Sequence, residues 1–92
     1  MKKEVYKENT ETEKIDETAK KRELILMNDD FNTFDYVVEA LIDVCRHSFE
    51  QAVQCTTITH YNGSCEVKKG FYSELRPLKQ ALIDRKLRAK IK

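Results

Sequence analysis

Leu24-Ile25-Leu26-Met27, followed at once by Asn28-Asp29-Asp30, is the stretch from which the rest of the chain can be read. Four apolar residues without alternation suit a short strand buried on both faces, and the polar triplet ends it. Just downstream, Phe34, Val37, Val38, Leu41, Ile42 and Cys45 recur at spacings of three and four. That spacing predicts an amphipathic helix over about 33–46, with Asn32 and Asp35 as its capping pair. The polar triplet therefore sits at a strand-to-helix junction, a place where functional groups are often displayed.

Ser48 with Gln51 makes a second capping signal and opens a helix with Phe49, Ala52, Val53, Thr56, Thr59 and His60 on one face. Asn62-Gly63 ends it, since glycine accepts the left-handed exit. Ser64 to Phe71 reads as an edge strand in which Gly70 permits a bulge. A third helical pattern begins at Ser73 and runs through Leu75, Leu78, Leu82 and Ile83. Pro77 leaves two readings: the regular helix begins near it, or the element bends there. Leu87 to Ile91 alternates as a terminal strand. Upstream, residues 1–22 alternate Lys, Glu, Asp and Thr with little apolar content, which predicts a disordered charged arm ahead of a single domain over 23–92. The fold class that follows is α+β: a small sandwich in the order β-α-α-β-α-β, with a three-stranded antiparallel sheet covered by helices.

A chain of 92 residues has no room for a large enclosed active site. Charged residues are 36% of it, yet the net charge is +1, so binding to nucleic acid gains no support from overall charge. The apolar runs are too short to cross a bilayer and the start is charged where a secretion signal would be apolar, so a cytoplasmic protein without membrane contact is expected. Cys45, Cys55 and Cys65 fit neither a paired disulfide framework nor C-x-x-C zinc spacing, and no cofactor or metal is expected. Cys45 and Cys55 read as small buried hydrophobes. There is no glycine-rich phosphate loop, no G-x-S-x-G and no H-E-x-x-H. Neither Cys45 with His47 nor Cys55 with His60 has the helical spacing of a facing pair, so an enzyme is not expected, a hydrolase using Cys55 included.

Asn and Asp at a strand end form turns and caps in most proteins, and a histidine near a helix C-terminus is commonplace. Taken together they have a chemical meaning. A free protein N-terminus is a small cation with three donors, mostly charged at neutral pH, and it needs acceptors. Asn28 and Asp29 offer oxygens, and a neutral His60 offers a ring nitrogen. Phe34, Val37, Thr56 and Thr59, facing inward from two consecutive helices, could then form a socket for one side chain. An amine clamp beside a side-chain socket is a reader of first residues.

At these residues the chain resembles the ClpS adaptor family, whose core has a strand ending in N-D-D and a second helix ending in H-Y-x-G. Here these are Asn28-Asp29-Asp30 and His60-Tyr61-Asn62-Gly63, within a resemblance spanning about residues 23–92. It implies a monomeric, non-enzymatic adaptor that binds proteins with a bulky hydrophobic first residue (Phe, Tyr or Trp ahead of Leu). Such an adaptor passes them to a Clp-type AAA+ unfoldase and its protease. By the same resemblance, Asn28, Asp29 and His60 hold the α-amino group, Asp30 supports the loop, and Val37 walls the pocket. Glu74 and Lys79 would dock on the N-terminal domain of the unfoldase, and the arm corresponds to the extension that the unfoldase engages. Asn32 stands where Thr is usual, Phe34 and Thr56 where Met is usual, Thr59 where Val is usual, and Pro77 where an acid is usual. Phe34 should narrow the pocket, whereas Thr56 should widen it and add a hydroxyl. The runner-up is a docking module like the C-terminal domain of the ribosomal stalk protein, which does not need the N-D-D and His60 pair.

Overall fold

The computed structural model describes residues 20–92, which form six elements: β1 (Lys21–Met27), α1 (Phe34–Cys45), α2 (Phe49–Asn62), β2 (Ser64–Phe71), α3 (Tyr72–Asp84) and β3 (Arg88–Ile91). The order is the one expected, and β1 lies at the centre of a three-stranded antiparallel sheet ordered β2-β1-β3. Most of the expected arm lies outside the described residues. Its last two residues do not belong to an arm, because Lys21 and Arg22 pair across the sheet with Phe71 and Gly70. Their cations also stand over the rings of Phe71 and Tyr72, at 5.9 and 5.7 Å.

Leu24 and Leu26 join Leu41, Leu75 and Leu82 as the largest fully buried side chains, which places the core between the central strand and the helices. Alternation along a strand sends Ile25 to the opposite face. It is buried but outside the core cluster, with Glu66 and Lys90 as its cross-strand neighbours. The second face of β1 is thus screened by the stems of charged side chains, not by a helix layer.

Thr33, not Asn32, caps α1, its hydroxyl accepting from the Tyr36 N–H at 3.2 Å. Ser48 caps α2 as expected, accepting from the Gln51 N–H at 3.1 Å. Gly63 ends α2 at a φ of 94°, in the left-handed region that glycine enters freely. The helix α3 begins at Tyr72 and continues through Pro77, which corrects the reading that starts it near the proline. Its first turn is held by Glu74, whose Oε1 accepts from the Phe71 N–H at 2.9 Å. Phe71 has no side-chain acceptor, so only this half of a capping box forms.

The expected bulge at Gly70 is not there, since Gly70 pairs regularly with Arg22. The register breaks instead between Leu24 and Ile25, which pair with Lys68 and Glu66 and leave Val67 between them. Gly70 meets a different need: a Cβ there would lie 2.7 Å from the capping Oε1 of Glu74. At the bulge, the Val67 carbonyl accepts from Nε2 of buried His47 at 2.6 Å, which fixes the proton on Nε2 and leaves Nδ1 without a partner. That bond ties the α1–α2 turn to the edge strand.

Leu41→Ala should lower unfolding free energy by about 2–5 kcal/mol, because it opens a cavity in the fully packed centre. Ser48→Ala should cost about 1 kcal/mol by freeing an orphan helix N–H. Urea denaturation of the two variants checks both the sizes and their order.

Candidate functional site

The Asn28 N–H donates to the Gly63 carbonyl at 2.9 Å, so the end of β1 is fastened to the residue that terminates α2. This brings the Asn28-Asp29-Asp30 loop beside His60, in the last turn of the same helix. From β3, Arg88 donates through Nη1 to the Asn28 carbonyl at 3.0 Å. Both backbone groups of Asn28 are thereby taken, and its side-chain amide keeps its hydrogen-bonding capacity.

Asp29 organises the loop. Its Oδ1 accepts from the N–H groups of Phe31 and Asn32 at 2.8 and 2.9 Å, and its Oδ2 from the Asn32 amide at 3.1 Å. Burial by itself would raise the Asp29 carboxyl; the hydrogen bonds from Asn32 and Phe31 and the Arg88 charge outweigh it and hold it below its ordinary value. A carboxylate has about four lone-pair sites, so the negative charge is fixed in place with acceptor capacity to spare. The Asn32 amide also donates to the Lys86 carbonyl at 2.9 Å, which is why it cannot turn back to cap α1.

A cavity of about 570 Å³ opens at this junction. The polar residues singled out in the sequence, Asn28, Asp29, Asp30, Asn32 and His60, all line it. So do Phe34 and Val37 from α1 and Thr56 and Thr59 from α2. Leu26, Met27, Thr57, Tyr61 and Leu87 also line it, beyond the residues expected. In the sequence Leu87 and Met27 carry only the signal of strand ends, and nothing local marks Arg88 as the brace of a loop far away in the chain. Asp30 and His60 are exposed, while Thr56 and Thr59 are buried. The two hydroxyls donate to the helix's own carbonyls, Thr56 to Ala52 at 2.7 Å and Thr59 to Cys55 at 2.8 Å. The hydroxyl expected to make the Thr56 wall more polar is therefore spent within the helix.

Glu74 and Lys79 lie on α3, and neither lines the cavity. Five residues apart on a helix, they point about 140° apart around its axis. Glu74 is exposed though engaged in capping, and Lys79 is half-buried. The cysteines do not line the cavity either. Burial pushes the Cys45 thiol up to about 11, and burial with the neighbouring Cys55 pushes Cys65 up to about 12, so neither offers a thiolate at neutral pH. Among the described residues, no group of His, Cys, Asp and Glu converges as metal ligands would, and no helix is long and apolar enough to cross a membrane.

Because the Asp29 carboxyl lies lower in the folded chain than its reference value of 3.8, its contribution to loop stability is present above that pH and lost as pH falls through the folded value. Asn32→Ala removes the side-chain hydrogen bond to Asp29 Oδ2 and should move the Asp29 carboxyl upward, toward the reference. Carboxyl-carbon NMR titration of both chains reads this directly; an unaltered Asp29 titrating at or above 3.8 would contradict it.

Residues 17–90 match the family model described as ATP-dependent Clp protease adaptor protein ClpS. Two curated relatives, the ATP-dependent Clp protease adapter proteins ClpS of Campylobacter jejuni subspecies jejuni and doylei, are each 42% identical over 41 residues. That stretch is 45% of this chain and 43% of each relative, so the match spans less than half of either. The solved structure of Agrobacterium tumefaciens ClpS2 bound to L-phenylalaninamide is similar with a TM-score of 0.75 at 22% identity, over 80% of this chain and 96% of that one, which shows a shared fold. With the family model covering every described element up to the last strand, the chain belongs to the ClpS family.

Proposed function

We propose that this chain is a non-enzymatic adaptor: it binds proteins through a bulky hydrophobic first residue and delivers them to a Clp-type AAA+ unfoldase for degradation. One observation carries the reading, namely that Asn28, Asp29 and His60 share a cavity with Phe34, Val37 and the two back-bonded threonines. The α-amino cation meets the Asn28 amide oxygen, the Asp29 carboxylate and a ring nitrogen of His60, while Asp30 adds negative charge at the rim. The first side chain enters between Phe34, Val37 and the methyl groups of Thr56 and Thr59. With their hydroxyls turned to the backbone, these threonines favour Phe, and an uncharged polar edge on Tyr or Trp is tolerated. Phe34 crowds the space near the β-carbon, so β-branched first residues are disfavoured.

No bond is made or broken in this scheme. Selectivity comes from polar groups that are satisfied only by a free amine, since an acetylated N-terminus loses both its charge and its donors. Docking on the N-terminal domain of the unfoldase is assigned to α3 through Glu74 and Lys79, and the charged segment ahead of Lys20 is the part the unfoldase would grip. The ribosomal-stalk alternative gains nothing from the cavity or from the family match. The Cys55 hydrolase alternative lacks a cysteine in the cavity wall.

Calorimetry with a Phe-first peptide should show binding that acetylation weakens by a factor of about 10 or more, the scale set by roughly 1–3 kcal/mol per unsatisfied group. Asn28→Ala and His60→Ala should each remove most of that discrimination while leaving the fold intact, because neither side chain is a strut of the loop. Equal binding of the free and acetylated peptides would overturn the reading. For delivery, pull-down by a Clp-type unfoldase N-terminal domain should be lost on charge reversal at Lys79, with peptide binding retained.

A further inference from the structure

The helix α1 contains no Lys or Arg, and its acids Asp35, Glu39 and Asp43 recur at every fourth position, which sets them in one stripe along the helix. Asp43 is engaged by Arg85 at 3.2 Å. Asp35 and Glu39 are exposed and make no ion pair among the described residues. Beside them lies a groove of about 450 Å³ between α1 and α2, in which Val38, Ile42 and Val53 give an apolar floor and Phe49, 67% exposed, forms one side. Phe34 lines this groove and the first-residue cavity alike, so the two depressions share a wall. An apolar trough edged by the Asp35 and Glu39 carboxylates complements an extended segment in which an apolar side chain is accompanied by a cation.

We propose that the α1–α2 groove receives the residues following the substrate's first residue, and selects an apolar side chain next to Lys or Arg. This rests on the first-residue reading above. An extended chain advances about 3.3–3.6 Å per residue, so about two residues carry it across the Phe34 ring, and the third to fifth residues lie over the groove. Once the first residue is seated, the second contact is intramolecular and weak pairings there add to affinity. The substrate class is thereby narrowed from any protein with a bulky first residue to those that continue with a basic and apolar stretch.

Calorimetry on the full chain with three probes separates the two sites: phenylalaninamide, Phe-Gly-Leu-Lys-Leu-Lys-amide and Phe-Gly-Ser-Gly-Ser-Gly-amide. The Leu-Lys peptide should bind roughly tenfold tighter than the Ser-Gly peptide, the sum of one partly buried apolar side chain and a screened charge pair. In Phe49→Ala and in Glu39→Lys that advantage should shrink to roughly twofold or less, with phenylalaninamide binding unchanged. Equal affinity of the two peptides for the unaltered chain, or an advantage that persists in both variants, overturns the groove assignment. Failure of phenylalaninamide itself to bind defeats the first-residue reading instead.

Discussion

The hydrogen bond from the Asn28 N–H to the Gly63 carbonyl is the constraint on which the site depends. It joins the end of the central strand to the residue that terminates α2, and it forms because Gly63 can take a left-handed conformation that turns the chain out of the helix and into β2. A side chain at that position would meet no steric neighbour within 4 Å, but its backbone would be strained at a φ of 94°. The cost would be paid in the placement of His60 against Asn28 and Asp29. The position of Asn28, Asp29 and His60 relative to one another is thus decided by backbone geometry at one glycine.

Around that bond, the loop is braced from three directions. Arg88 reaches the Asn28 carbonyl from β3, Asn32 reaches the Lys86 carbonyl in the turn before it, and Asp29 gathers the N–H groups of Phe31 and Asn32. Tyr36 adds a bond to the Arg85 carbonyl at 2.9 Å, so the start of α1 is held to the same turn. Preorganisation of this kind matters for recognition because the charged and polar groups need no reordering when the ligand arrives. Asp29 serves both ends: the bonds that order the loop also keep its carboxylate ionised.

How far the chain could be read varied with the range of the forces involved. Local signals were dependable: Ser48 capping α2, Gly63 ending it and the apolar run at the centre of the sheet all depend on neighbours a few residues away. Thr33 displaced Asn32 as the cap of α1 because the Asn32 amide found a carbonyl at Lys86, a partner that no local pattern reveals. The bulge settled at Val67, where buried His47 takes the displaced carbonyl, and not at the glycine nearby. The helix α3 runs on through Pro77, with Glu74 capping its start upstream. The nine cavity residues named from the sequence do meet in space, whereas the hydrophobic lining from β1 and the chain before β3 depended on tertiary packing. The overall charge, close to balanced, likewise hid the all-acidic stripe of α1.

The most direct measurement is a crystal structure of the chain with L-phenylalaninamide. The result expected is an amine nitrogen within about 3.2 Å of the Asn28 amide oxygen, the Asp29 carboxylate and a ring nitrogen of His60. The phenyl ring should lie between Phe34, Val37 and the methyl groups of Thr56 and Thr59. An amine turned to solvent, or a ring seated away from the junction of β1 and α2, would contradict the assignment of this site.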